Sequence, residues 1–263
     1  MRLRAILAVV GLGLVVLVVL GLFGSGDGGE RERGPRDGWS SADRDGLGGW
    51  RALLRHEGVP LRIVDVDEDR VRLLPRTTYL FAEGDLTPTL ARRVLRETAR
   101  GARVVAVGRD AIALGDELGL LRPIDAALEL GRRARREPET AAVDHVQADG
   151  ARAWPAETEA LSALVVADGD AAPPPVLVGE RRVGDGSLVL VADRQLVEND
   201  RLDDRDNAAL AVGLAGRGRV VALRPRADAT AAGGLSPRVG AVLGLLVLAA
   251  IAGLLARGRR LGP

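Results

Sequence analysis

Cysteine is missing from this 263-residue chain and so is lysine; histidine occurs twice, and the aromatics come to three Trp, two Phe and one Tyr. Without cysteine there can be no disulfide, no thiolate nucleophile and no zinc site built on thiolates. With only His56 and His145, a centre of two or three imidazoles is all but excluded too. So few aromatics leave an aliphatic core, and no region has the basic stripe interleaved with rings that nucleic acid binding needs. Formal charge is +1, and nucleic acid is set aside as a partner. All 37 basic residues are Arg, a compositional bias that deprives any single arginine of value as a marker.

Long apolar runs, by contrast, are present. Arg2 and Arg4 precede Ala5–Phe23, nineteen residues without a charge, a length that spans a hydrocarbon core as a helix. Val239–Ala256, eighteen residues followed directly by RGRR, reads as a second span. The arginines at both termini place them in the cytoplasm by the positive-inside tendency. The expectation is a two-pass protein of the cell membrane, with residues 257–263 as a basic cytoplasmic tail and the 215 residues between the spans outside.

Residues 24–37, rich in Gly and charge, read as a flexible linker. From Gly38 to Arg226 the period alternates. Leu47, Trp50, Leu53 and Leu54 recur at helical spacing and stop at Gly58; LRIVDV, Leu61–Val66, follows as a strand. The run TTYLFAEG precedes a helix with Thr87 as N-cap, Pro88 in its first position and Gly101 as its stop, and then ARVVAVG is a buried strand. Gly184-Asp185-Gly186 between two β-runs signals a hairpin, and an alanine-rich helix from about Asp206 leads to the strand GRVVALRP. This order predicts an α/β fold with a doubly wound, mainly parallel sheet, flanked by the two transmembrane helices.

The run VGDGSLVLVADRQLVENDRLDDRDNAALAVGL, with GLGGWRALLRHEGVPLRIVDV and GARVVAVG, resembles the membrane-anchored bacterial proteins grouped as domain of unknown function 4350. The likeness covers roughly Gly38 to Arg224 and is most specific at the Gly-x-Gly hairpin, Asp193, Asn199 and the Asp206-Asn207 pair. It implies a class I glutamine amidotransferase-like, flavodoxin-like fold. It also implies a setting beside a MoxR-type AAA ATPase, a protein with a von Willebrand A-like domain and transglutaminase-like membrane proteins. Related domains look like extracytoplasmic parts of ABC-type exporters. A fold likeness to an amidotransferase does not confer its reaction.

That reaction needs a Cys on a sharp strand-to-helix turn, activated by a His; here RVVAVG runs into Arg109 and Asp110, and there is no Cys. No Ser sits in a G-x-S-x-G setting that could replace it. Attention turns to Val191–Ala211, which holds six carboxylates and two Asn. Asp193 follows SLVLVA, where open α/β sheets place their ligand crevice. Asp203, Asp204 and Asp206 precede a helix and suit its free N–H groups, while Asn199 and Asn207 suit loop ordering. A calcium loop would need a central Gly and a closing Glu, which are absent, and Arg194, Arg201 and Arg205 oppose it. Ser40 and Ser41, with Asp43, lie before the first helix as caps or as a second rim.

The candidate crevice is therefore Asp193, Asn199, Asp206, Asn207, Ser40 and Ser41, with capping as the competing account and no catalytic residue, metal or cofactor expected. The functional expectation is a non-catalytic interaction module of a membrane assembly, working with a MoxR-type AAA ATPase system. The alternative is an extracytoplasmic ligand-binding subunit of an ABC-type transport system, and a carboxylate-dependent hydrolase ranks third.

Overall fold

The computed structural model describes residues 38–125, 128–158, 160–216 and 218–225. The first helix, α1 (Gly48–His56), carries Trp50 and Leu54 on its buried face. It ends where Gly58, at φ +72, lets Val59 N–H reach back to Leu54 O at 2.8 Å. Strand β1 (Leu61–Val66) follows, then the 3-10 turn Glu68–Arg70 and β2 (Thr77–Phe81). Helix α2 (Pro88–Thr98) starts as its sequence predicts: Thr87 Oγ1 accepts from Leu90 N–H at 3.2 Å, with Pro88 in the first turn. Then come β3 (Arg103–Val107) and α3 (Arg109–Glu117).

Between β3 and its sheet neighbour β10 (Gly186–Val191) the chain inserts six short strands. These are β4 (Ile124–Asp125), β5 (Leu130–Arg133), β6 (His145–Gln147), β7 (Arg152–Ala153), β8 (Ser162–Ala167) and β9 (Val176–Val183). After β10 a 3-10 turn, Arg194–Val197, precedes α4 (Asn207–Ala215) and β11 (Arg219–Pro225). The β9–β10 hairpin turns on Gly184, whose φ of +58 at the first central position is what a II′ turn requires. A side chain there would also strike the last turn of α2, since a Cβ would lie 2.6 Å from Ala99 O.

Among the described residues nine strands form one sheet in the order β1-β11-β2-β3-β10-β9-β8-β5-β6, and β4 pairs with β7 apart from it. The first five run parallel; from β10 to β6 every pairing is antiparallel. Alternate residues feed two cores. On one face Trp50, Leu54, Leu210 and Leu214 of α1 and α4 pack on Leu80, Val105, Val189 and Val220. On the other, Leu90, Val94, Ala111 and Leu114 of α2 and α3 pack on Phe81, Val104, Leu188 and Val221.

This topology corrects the expected mainly parallel, flavodoxin-like sheet: the sheet is mixed, with four of its eight pairings antiparallel. The reason lies in the insertion. Parallel neighbours need a crossover long enough to hold a helix, and from β5 to β9 the connections hold nothing longer than the 3-10 turn Pro138–Thr140, so the chain can only reverse.

The expectation of two flanking transmembrane helices is corrected as well, and with it the two-pass localisation with cytoplasmic termini. Among the described residues no helix is long and apolar enough to cross a membrane. The longest, α2, has 11 residues, about half of what a hydrocarbon core demands. The linker, the two apolar runs Ala5–Phe23 and Val239–Ala256, and the basic tail lie outside the described residues.

Candidate functional site

The parallel strands bring their carboxyl ends to one rim. Glu83 and Asp85 follow β2, Gly108 and Asp110 follow β3, and Asp193 and Arg194 follow β10. At Gly108 the chain turns from strand to helix with φ +59 and ψ −121, a sharp elbow of the kind on which α/β-hydrolases mount a nucleophile. Here the elbow is a glycine, and its side-chain space is taken. A Cβ would meet Arg194 Cβ at 3.1 Å and Arg194 N at 3.4 Å. Gly108 N–H donates to Val191 O at 2.9 Å, which ties the elbow to β10.

Asp110 is 2% exposed. Its Oδ2 accepts from Gly84 N–H and its Oδ1 from Leu86 N–H, each at 2.9 Å. Burial pushes its carboxyl up to about 6, against the two backbone donors and with help from the nearby Asp85 charge. Burial also raises Glu83 and Asp85, while the Arg194 guanidinium opposes the shift in both. Glu83 Oε1 accepts from Trp39 N–H at 3.4 Å, and Arg194 donates from Nη2 to Asp45 O at 2.9 Å. The segment from Gly38 is thus fastened across the rim, with Trp39 buried against Trp50 at a ring separation of 5.1 Å. Raised carboxyls can serve acid–base chemistry, but both oxygens of Asp110 already hold the β2–α2 loop. Among the described residues no group of three or more acidic or imidazole side chains is arranged to hold a metal.

The six residues singled out from sequence lie in three places. Asn199 joins the first helix to the segment before it: Oδ1 accepts from Gly49 N–H at 2.6 Å, and Nδ2 donates to Ser41 O at 2.9 Å and Asp43 O at 2.6 Å. It caps α1 from 150 residues away, a task the serines were candidates for. Ser41 Oγ instead accepts from Asp43 N–H, and Ser40 Oγ from Arg51 Nη1. Asp193 caps its own 3-10 turn by accepting from Gln195 N–H at 3.1 Å and reaches β7 by accepting from Arg152 N–H at 3.0 Å.

Asp206 and Asn207 close an edge of the sheet. Asp206 occupies the N-cap position of α4 without capping it; its Oδ2 accepts from Asp144 and His145 N–H at 2.8 and 3.0 Å, which lowers its carboxyl below the usual range. Its N–H donates to His145 O at 3.1 Å. The Asn207 amide then takes both backbone groups of Gln147, accepting from N–H at 3.0 Å and donating to the carbonyl at 3.3 Å. Together they occupy the hydrogen-bonding groups that edge strand β6 would otherwise present. Sequence reasoning missed Glu83, Asp85, Asp110 and Arg194. The signal that picked Asp193, a charged residue just past a strand's carboxyl end, applies to each of them.

Fold and rim define a mixed α/β domain that keeps a strand-to-helix elbow and places a glycine on it. The chain belongs to the family Domain of unknown function (DUF4350), whose family model matches residues 40–215. No curated protein matches the sequence. Among solved structures, an exo-beta-1,4-mannosidase, Op5Man5 from Opitutaceae bacterium strain TAV5, aligns at 13% identity and TM-score 0.38, over 56% of this chain and 26% of the mannosidase. The mmIFT52 N-terminal domain aligns at 15% and 0.36, over 60% of this chain and 76% of that domain. A beta-galactosidase from Bacillus circulans sp. alkalophilus aligns at 14% and 0.34, over 54% and 21%. At such scores nothing about this chain's activity follows from these likenesses.

Proposed function

We propose that this chain is a non-catalytic α/β interaction module that works with a MoxR-type AAA ATPase system. The observation that carries the reading is the elbow: Gly108 stands where a nucleophile would project, and Arg194 fills the space before it. Glu83 and Asp110 at the rim support it, since they accept from backbone donors that fasten loops. The partner follows from the family resemblance. Two measurements test the proposal. Titration of the full chain against the MoxR-type ATPase should give saturable binding, and its absence overturns that partner. A panel of chromogenic esters, amides and glycosides should show no turnover. Turnover that disappears in both Asp110→Asn and Glu83→Gln replaces the reading with a carboxylate-dependent hydrolase.

A second reading, a ligand-binding subunit of an ABC-type transport system, has one observation in its favour. A cavity of about 740 Å³ lies at the amino ends of the parallel strands, lined among others by Val59, Thr77, Thr78, Arg103, Val212 and Gly216. That volume is within the range of small-molecule sites. A ligand library that raises the melting temperature, with the rise abolished by Gly218→Trp at another residue of the lining, would favour this reading.

A further inference from the structure

Between β1 and β2 the chain crosses over β11 without a helix. In a parallel sheet such a crossover normally carries one, and that helix covers the sheet face. Here the crossing consists of the 3-10 turn Glu68–Arg70 and the irregular stretch up to β2. Val71 and Leu73, both buried, roof part of the face left bare. What remains open is a trough of about 350 Å³ along β1 and β11. Val64, Val221 and Leu223 supply apolar side chains to its lining.

Four guanidiniums also line it: Arg62, Arg70, Arg72 and Arg219. All four residues are exposed, and none has a carboxylate partner among the described residues. Asp65, at the same trough, is engaged by Arg224 at 2.6 Å. The turn that carries Arg70 is held firmly, because Arg93 Nη1 donates to Glu68 O at 2.7 Å and Thr87 Oγ1 donates to Glu68 Oε1. A rigid apolar strip ringed by four arginines, none of them paired with a carboxylate among the described residues, is therefore ready before any partner arrives. The two edges of the sheet also differ, since Asp206 and Asn207 close β6, whereas among the described residues nothing pairs with the outer edge of β1.

We propose that this trough docks an acidic segment of a partner protein, with aliphatic side chains on the apolar strip and carboxylates on the four arginines. The proposal rests on the reading of the chain as an interaction module and names the surface it uses. Charge complementarity selects the partner: four like charges around a small trough repel one another, and carboxylates relieve the repulsion through bidentate contacts with guanidinium. Nucleic acid fits less well. Tyr79, the aromatic residue of the trough, is 5% exposed and offers no face for stacking.

The test uses the full chain and a fluorescein-labelled peptide of about a dozen residues in which Glu alternates with Leu. A peptide with Lys in place of Glu is the control. Anisotropy should show saturable binding of the Glu peptide alone, weakened about tenfold or more between 50 and 300 mM salt. The Arg62→Glu, Arg70→Glu, Arg72→Glu, Arg219→Glu variant should lose binding with an unchanged thermal midpoint. The pair Arg62→Glu and Arg219→Glu, which should weaken binding about tenfold, serves if the fourfold variant does not fold. Equal binding by wild type and variants, or no binding of the Glu peptide, overturns the proposal. So does tighter, arginine-dependent capture of single-stranded DNA or of phosphatidylglycerol vesicles. If the MoxR-type ATPase binds wild type and the fourfold variant alike while the peptide does not bind, the trough falls and the module reading stands. Hydrolytic turnover by the chain sinks the module reading without touching the peptide result.

Discussion

Replacing Asn207 with alanine tests whether a side-chain amide closes the sheet at β6. The residue is fully buried, and its amide satisfies both the N–H and the carbonyl of Gln147. The alanine variant leaves those two groups unpaired. Each net hydrogen bond is worth about 1 kcal/mol, and a stranded buried group costs about 1–3. Gln147 is half-buried, so water recovers part of the loss and the expected cost is about 2–4 kcal/mol. In a domain of this size that lowers the melting temperature by roughly 5–12 °C. Circular dichroism at 222 nm during thermal and urea unfolding measures it. Asn207→Asp should cost at least as much, because a carboxylate keeps the acceptor for Gln147 N–H but turns an oxygen toward the Gln147 carbonyl. An unsealed β6 should also pair edge to edge, visible as concentration-dependent dimers on size exclusion. A shift under about 2 °C with a monomeric elution would show that Asn207 does not hold the edge.

Other substitutions test the rim. Gly108→Ala places a Cβ 3.1 Å from Arg194 Cβ at a residue with φ +59 and should destabilise by about 1–3 kcal/mol. Adding Arg194→Gly removes the Cβ that the new methyl meets and should recover that contact part of the loss while leaving the backbone part, so full recovery would refute the strain. Asn199→Ala frees Gly49 N–H and two carbonyls and should cost about 1–3 kcal/mol, with a change in tryptophan emission because Trp39 and Trp50 lie on the joined elements. Unchanged emission and midpoint would refute the staple. The pH profile carries opposite signs at two carboxylates. Asp110 is raised from its ordinary 3.8 to about 6, so its contribution is present in full below 3.8 and lost as pH rises through 6, a change of about 3 kcal/mol. Asp206 is lowered, so its contribution is present above 3.8 and lost as pH falls through its folded value. Urea unfolding from pH 4 to 7.5 should show a downward slope that Asp110→Asn reduces, leaving the part that the raised Glu83 and Asp85 contribute; an identical slope in the variant would refute the assignment.

What could be read from the sequence alone was local. Thr87 and Pro88 mark the start of α2 and Gly101 lies three residues past its end, LRIVDV has the limits of β1, and Gly184 marks a hairpin. Caps, turns and strand runs act over one to four residues, so a single window of sequence contains their whole cause. The absence of cysteine likewise settled the thiolate question without coordinates. Tertiary structure decided the rest. Nothing near β11 announces that it slots between β1 and β2, and nothing near β5 announces an antiparallel extension. Asn199 and Asn207 are conspicuous in sequence, yet their partners lie 150 and 60 residues away. Those pairings depend on which strands neighbour one another after the chain has closed its long loops, and local propensity carries no record of that choice.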